Sequence, residues 1–278
     1  MVAPLWAGQA GRTVTSMLAA TSARPSSVLR APFSASARAQ IGLFVFAYLI
    51  YSAGRWLTVG DLGVAKANAA WIVHVERTFH VADEGTIQRA LEGTWFLWVL
   101  NHLYLAAQLV VLPGSLFFLY RRSRPLYQRL RNTILATWML SIPIYAAFPV
   151  APPRLADVGL IDTITSQTGF AMDSKLTTSF YNELAAVPSL HVGFAVAIGI
   201  AVAASLRNPA LKVLAWLWGP TIALAVVATG NHFVFDIVAG VLVSAAGYGV
   251  GTLAARSRFG RVSGPAPATA LRPAFAEA

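Results

Sequence analysis

Two histidines and an aspartate interrupt a chain otherwise dominated by apolar runs. His191 closes the stretch Val187-Pro-Ser-Leu-His191, and His232 and Asp236 lie in Thr229-Gly-Asn-His-Phe-Val-Phe-Asp236. An ionisable side chain at the centre of a membrane helix costs about 2.5–3.5 kcal/mol or more, so those that persist face a cavity, a partner or a substrate. His232 and Asp236 stand four residues apart, on one face of a helix and one turn from each other. A carboxylate so placed can hydrogen-bond one ring nitrogen, select the tautomer that frees the other to attack, and stabilise the cation that follows. The chemistry this suits is phosphoryl transfer. His232 would hold the phosphoryl group covalently, Asp236 would orient it, and His191 would protonate the leaving alcohol and later take a proton from the acceptor.

A phosphoryl group also needs donors and positive charge. Helix starts supply both free N–H groups and a favourable dipole. Pro188 suits a first helical position, Ser189 adds a hydroxyl, and Asn231 suits a cap for the helix that follows it. Arg154, behind a rigid Pro-Pro pair, could grip a phosphate oxygen bidentately. Arg55 is a second cation, which a snorkelling helix-end role would also explain. The His-x3-Asp pair could equally form half of a metal site, and His74, His80 and His102 exist to extend it. The apolar runs offer too few His and acid partners on that side for a three-ligand set, so no metal and no cofactor is expected.

The elements that must position these residues are membrane helices. Of 278 residues, 56% are hydrophobic and 12% charged, against a charged share of about 25% in soluble domains. There is no cysteine, which removes thiol chemistry and disulfides. The net charge of +10 sits on no solvated basic domain, so a nucleic acid partner is not expected. Segments long enough to cross a bilayer, about 20 residues each, fall at 40–58, 96–119, 133–150, 187–206, 211–229 and 232–254. The expected architecture is all-α: a polytopic six-helix membrane bundle, residues 40–254, between a disordered basic tail at 1–39 and a second tail at 255–278. Fifteen of the 21 Lys and Arg lie in the two tails and in the loops on their side. By the positive-inside rule both termini are then cytoplasmic, and His191, His232 and Arg154 meet at the outer face.

The loops carry further expectations. In the first outer loop, Trp71, Val75 and Phe79 recur at helical spacing among charged residues, which predicts an interfacial helix. Residues 155–186 are polar and too long for a simple connection, which suits a lid. Pro113, Pro143 and Pro220 lie inside spans and predict kinks. His102 falls near the outer end of the second span, close to the expected site or packed beside it.

With these residues in hand, the chain resembles the type 2 phosphatidic acid phosphatase superfamily, and within it the inositol phosphorylceramide synthase-like branch, the aureobasidin-resistance type of inositolphosphotransferase. The resemblance rests on Phe148-Pro-Val-Ala-Pro-Pro-Arg154, Val187-Pro-Ser-Leu-His191 and Thr229-Gly-Asn-His-Phe-Val-Phe-Asp236, in that order, and covers roughly 45–250. It implies a six-helix bundle with His232 as nucleophile, Asp236 as orienter and His191 as acid and base. The phosphatase branch carries a Lys-x6-Arg-Pro motif and a Ser-Arg pair ahead of the nucleophile. Here residue 117 is Phe, and Ala225 and Val226 replace the pair, which shifts the phosphate's charge onto Arg154. Leu190 also replaces the glycine of a Pro-Ser-Gly-His motif, as in the inositolphosphotransferase-like branch. The expected function is transfer of a phosphoryl head group, inositol phosphate foremost, from a phospholipid to a lipid alcohol in a bacterial plasma membrane. The alternatives are a lipid phosphate phosphatase using water, or a non-catalytic lipid binder or transporter.

Overall fold

The computed structural model of the chain describes residues 37–81, 83–170 and 182–259. Two compact units divide between Leu43 and Phe44. Of the first, only the opening turns of one helix are described; the second holds everything that follows. The sequence expectations for most of the two tails, and for part of the lid, lie outside the described residues. Where the tails are described they are helical: the first helix starts at Ala37 and the last runs to Phe259.

The helices are α1 Ala37–Leu57, α2 Leu62–Thr78, α3 Glu84–Leu91, α4 Trp95–Ala106, α5 Leu112–Arg122, α6 Arg124–Ala147, α7 Thr163–Thr168, α8 Leu190–Ser205, α9 Pro209–Ala228 and α10 Val234–Phe259. Their starts are written locally. Asp61, Asp83, Thr94, Asp162 and Asn208 each accept a first-turn N–H through the side chain, filling donors that a helix start otherwise leaves open. At Asp83 the Thr86 hydroxyl, 2.8 Å away, is the main cause that holds the carboxyl below its ordinary value of 3.8, aided by the Gly85 N–H and Arg89. A π-helical turn at Ala107–Val111 joins α4 to α5 just ahead of Pro113, which cannot donate to a regular helix.

The fold is all-helical among the described residues, with an isolated bridge pairing Val150 and Ala185 in place of any strand. Large apolar side chains such as Leu214, Trp216, Val238 and Leu242 point outward. Exposure on that scale fits a lipid solvent rather than water, and this is a membrane protein. Three helical stretches are long and apolar enough to cross a bilayer: Trp95–Arg122, Pro209–Ala228 and Val234–Leu253. Arg38–Leu57 and Leu62–Thr78 would make a fourth if counted together, but they meet at a 97° bend. The other two expected spans fall short of that measure for visible reasons. α6 carries polar Thr133, Thr137 and Ser141 on its buried side, and α8 has 16 residues, about 24 Å against a hydrocarbon core of about 30 Å. The segment expected as an interfacial helix folds into two helices, α2 and α3.

Small residues set how closely α8 meets α10. A Cβ added at Gly193 would fall 2.6 Å from the Gly240 carbonyl oxygen, and one added at Gly240 would collide with the Ser189 carbonyl. The Ser244 hydroxyl closes the contact by donating to Gly193 O at 2.9 Å. Close backbone approach through Gly and Ser is how helices associate without a hydrophobic driving force. Gly240→Ala is therefore expected to push the two helix starts apart, lowering turnover at least tenfold and stability by about 1–3 kcal/mol. Turnover together with thermal unfolding in detergent checks this, and unchanged values for both would contradict the packing account.

Candidate active site

The chain leaves α9 through a tight turn that aims His232. Gly230 has φ +71°, where a side chain would be strained, and a Cβ there would sit 2.7 Å from Ile161 O. The N–H groups of Asn231 and His232 both donate to Val226 O at 3.1 Å. α10 begins at Val234, later than expected, so Asn231 does not cap it. Asp236 fills part of that role. Its Oδ2 accepts the Phe233 N–H at 2.9 Å and lies 3.1 Å from His232 Nδ1. Asp236 is fully buried and His232 nearly so, which shields their contact from solvent. With Nδ1 so engaged, Nε2 is the nitrogen left to react.

His191 enters from the first turn of α8. Its ring stacks on Tyr104 of α4, centres 4.1 Å apart and planes within 16°. It faces His232 with ring centres 6.2 Å apart at 54°. The backbone ties the two helix starts directly, since Ser189 N–H donates to Asp236 O at 3.0 Å. Three expected residues, His191, His232 and Asp236, are thus brought together from two helices.

The expected phosphate groups divide into two sets. Ser189 is fully buried and its hydroxyl has no hydrogen-bond partner among the described residues. It caps α8 by position, but its side chain bonds none of the first-turn donors. No protein acceptor takes the N–H groups of Leu190, His191 and Val192 among the described residues, and such a start attracts anions. Pro188, expected in the first turn, instead precedes the cap and follows Val187 through a cis peptide. Arg154 is engaged. Its Nε donates to Asn231 Oδ1 at 3.1 Å, its Nη1 lies 3.6 Å from Glu183, and its backbone N–H donates to Gly230 O at 2.9 Å. Asn231 in turn donates to Thr229 Oγ1 and O. Arg154 and Asn231 thus stand beside the turn that aims His232 as a linked pair rather than as two independent donors.

Arg55 donates to Asn182 O at 3.0 Å, accepts the Asn182 amide on its own carbonyl, and faces the Tyr51 ring. It thereby holds the segment that leads to α8. The segment with Pro152-Pro-Arg154 reaches the same place through the Val150–Ala185 bridge, with Val150 N–H on Leu184 O and Ala186 N–H on Val150 O. His102 stays apart. Its ring packs on Trp98 at 3.9 Å and its Nδ1 contacts Trp98 O. His74 and His80 are exposed.

Three residues at the site carried no readable signal. Tyr104 is one apolar-looking aromatic in a long run. Glu76 and Glu84, in α2 and α3, fall in and beside the segment expected as an interfacial helix, yet both are buried. They accept the N–H groups of Phe235 and Val234 at 2.7 and 3.1 Å. The acid-and-aromatic pattern of residues 71–84 is visible, but which acid turns inward is set by contacts 150 and 159 positions along the chain.

A family model described as the PAP2 superfamily matches residues 70–250, which is more than half of the chain and spans every group just described except Arg55 and Tyr51. The chain belongs to the PAP2 superfamily. Membership implies an activity of the phosphatase or phosphotransferase type. Comparison with curated proteins and with solved structures returns no match. As a PAP2 superfamily member, the chain differs from a uniformly charged phosphate pocket in one respect. Around His232 the surroundings are acidic and histidyl, with the nearest arginines held by neighbours. Ala225 and Val226, where the phosphatase pattern has its Ser-Arg pair, are both buried in apolar packing and donate no side-chain hydrogen bond.

Proposed function

We propose that this chain is a membrane-embedded lipid phosphotransferase that passes a phosphoryl head group, inositol phosphate foremost, from a phospholipid to a lipid alcohol. The observation that carries the reading is the facing pair His191 and His232, with Asp236 on the far nitrogen of His232 and the open α8 start beside them. His232 Nε2 attacks phosphorus. The bond from phosphorus to the diacylglycerol oxygen breaks, and His191 delivers the proton that oxygen needs. In the second half, the acceptor hydroxyl attacks phosphorus, His191 takes its proton, and the P–N bond breaks. Ser189, the α8 N–H groups and the Arg154–Asn231 pair stabilise the phosphoryl oxygens. No metal or cofactor takes part in either half. The chain crosses a bacterial plasma membrane six times, with both termini cytoplasmic and the site at the outer leaflet.

The test supplies purified protein in lipid bilayers with head-group-labelled phosphatidylinositol and other phospholipids, with and without ceramide or diacylglycerol. Label appearing in a new lipid only when an acceptor is present supports transfer. Label released to water under all conditions replaces it with a lipid phosphate phosphatase. No turnover, together with lipid translocation that survives His232→Ala, would replace both with a transporter. Arg154→Lys is expected to cut turnover about tenfold to a hundredfold, because Lys cannot reproduce the planar contact with Asn231 and a phosphate oxygen at once. Steady-state kinetics of this variant check it, and an unchanged rate would remove Arg154 from the phosphate site.

A further inference from the structure

The start of α10 is an obvious place for a phosphate anion, yet it is already full. The Phe233 N–H donates to Asp236, the Val234 N–H to Glu84 Oε1 at 3.1 Å, and the Phe235 N–H to Glu76 Oε1 at 2.7 Å. Glu76 and Glu84 reach this point from α2 and α3, and both are buried, at 6% and 7% exposure. Glu76 Oε2 is buried without a donor among the described residues. The Glu84 carboxyl holds the adjacent donor of the same helix start, so the two acids sit side by side over consecutive residues of α10. Two carboxyl groups in that relation are stable together when they share one proton.

We propose that Glu76 and Glu84 are positioning residues, a proton-sharing carboxyl pair that occupies the N-terminal donors of α10, holds His232 and Asp236 in register, and leaves the α8 start to receive the phosphate. This rests on the phosphoryl-transfer reading for its second half and on geometry alone for its first. Charge supports it. Burial is the main cause that lifts the Glu76 carboxyl from its ordinary 4.5 to about 8, with Glu84 and Asp236 adding to it and the Phe235 N–H opposing. The charged groups facing Glu76 are Glu84 from α3 and Asp236 from α10, the latter paired with His232. A carboxyl raised in this way contributes stability that is complete below its unfolded value near 4.5 and is lost as pH rises through about 8. Above that pH a second negative charge appears beneath the helix that carries the nucleophile.

The experiment uses the full chain in bilayers, with variants Glu76→Gln, Glu76→Ala and Glu84→Gln. Glutamine keeps the carbonyl acceptor and supplies the N–H that stands in for the shared proton. Glu76→Gln is therefore expected to hold kcat within about threefold and to abolish the alkaline fall near pH 8. Glu76→Ala is expected to lower kcat about 30-fold to 100-fold with KM nearly unchanged, the size of effect a small misplacement of reacting groups produces. Equal losses in Glu76→Gln and Glu76→Ala, or an alkaline limb that persists in Glu76→Gln, would overturn the proposal. A second readout needs no substrate. In histidine-labelled protein, the His232 NMR signal is expected to shift with pH through about 8 in the parent chain and to stay flat there in Glu76→Gln and Glu84→Gln. A parent signal with no such shift overturns the positioning role. A shift seen without turnover of any phosphate ester upholds the register half, defeats the phosphoryl-transfer reading and removes the phosphate-directing half with it.

Discussion

His232→Ala is expected to lower phospholipid turnover by about 10⁴-fold or more, the scale of loss when a nucleophile that works as a unit with its partners is removed. Alanine leaves no nitrogen to accept the phosphoryl group, and the Asp236 carboxylate, wholly buried and 3.1 Å from the lost ring, then keeps only the Phe233 N–H. The same substitution should abolish covalent label from a phosphate-labelled donor. In the parent chain that label should be stable to base and lost in acid, as a phosphorus–nitrogen bond is. Trapping by rapid quench followed by those two treatments is the measurement. Label retained in His232→Ala would place the covalent step elsewhere or remove it.

His191→Gln should separate the two halves of the reaction. Loss of a general acid and base costs about 10²–10⁴-fold, but the cost depends on how much help the leaving group needs. With a natural phospholipid the departing alkoxide requires a proton, and the full loss is expected. A donor carrying a nitrophenyl leaving group does not, so its first step should recover most of the parent rate. The second step still lacks a base for the acceptor hydroxyl, and phospho-His232 should accumulate. Equal losses on both donors, without accumulation, would show that His191 serves packing against Tyr104 and not proton transfer. The stacked geometry, 4.1 Å between ring centres, makes that a fair contest.

The Glu76 and Glu84 pair bears on both tests, because it sets the floor on which His232 stands. On the proposed reading, two acids 150 and 159 positions ahead of the N–H groups they hold donate nothing to the reaction itself. They occupy a helix start that electrostatics would otherwise offer to the substrate. On the proposed reading the two neighbouring helix starts divide the labour, with α10 holding His232 in register and α8 left open to anions.

Much of this site could be read along the chain, because its main relations are local or nearly so. A spacing of four residues keeps His232 and Asp236 close, and in the structure the Asp236 side chain, in the first turn of α10, reaches back to His232 just ahead of that helix. The cost of ionisable groups in apolar runs singled out His191 as well, and apolar length and composition marked a helical membrane protein. What spacing could not supply were the relations between helices. The approach of α8 to α10 depends on Gly193, Gly240 and Ser244 meeting across the interface, and no single one of them signals it. Tyr104 comes to His191, and the two glutamates to α10, because α2, α3 and α4 fold back over the later helices. Arg154 looked like a free cation in a rigid loop, and its hold on Asn231 and its neighbour Glu183 emerge only when three separate segments converge. The sequence by itself determined which residues are candidates for the chemistry, since that follows from side-chain type and spacing. The tertiary structure alone decided which donors are left for a phosphate, since buried hydrogen-bonding groups are satisfied by whichever partners the packed helices bring within reach.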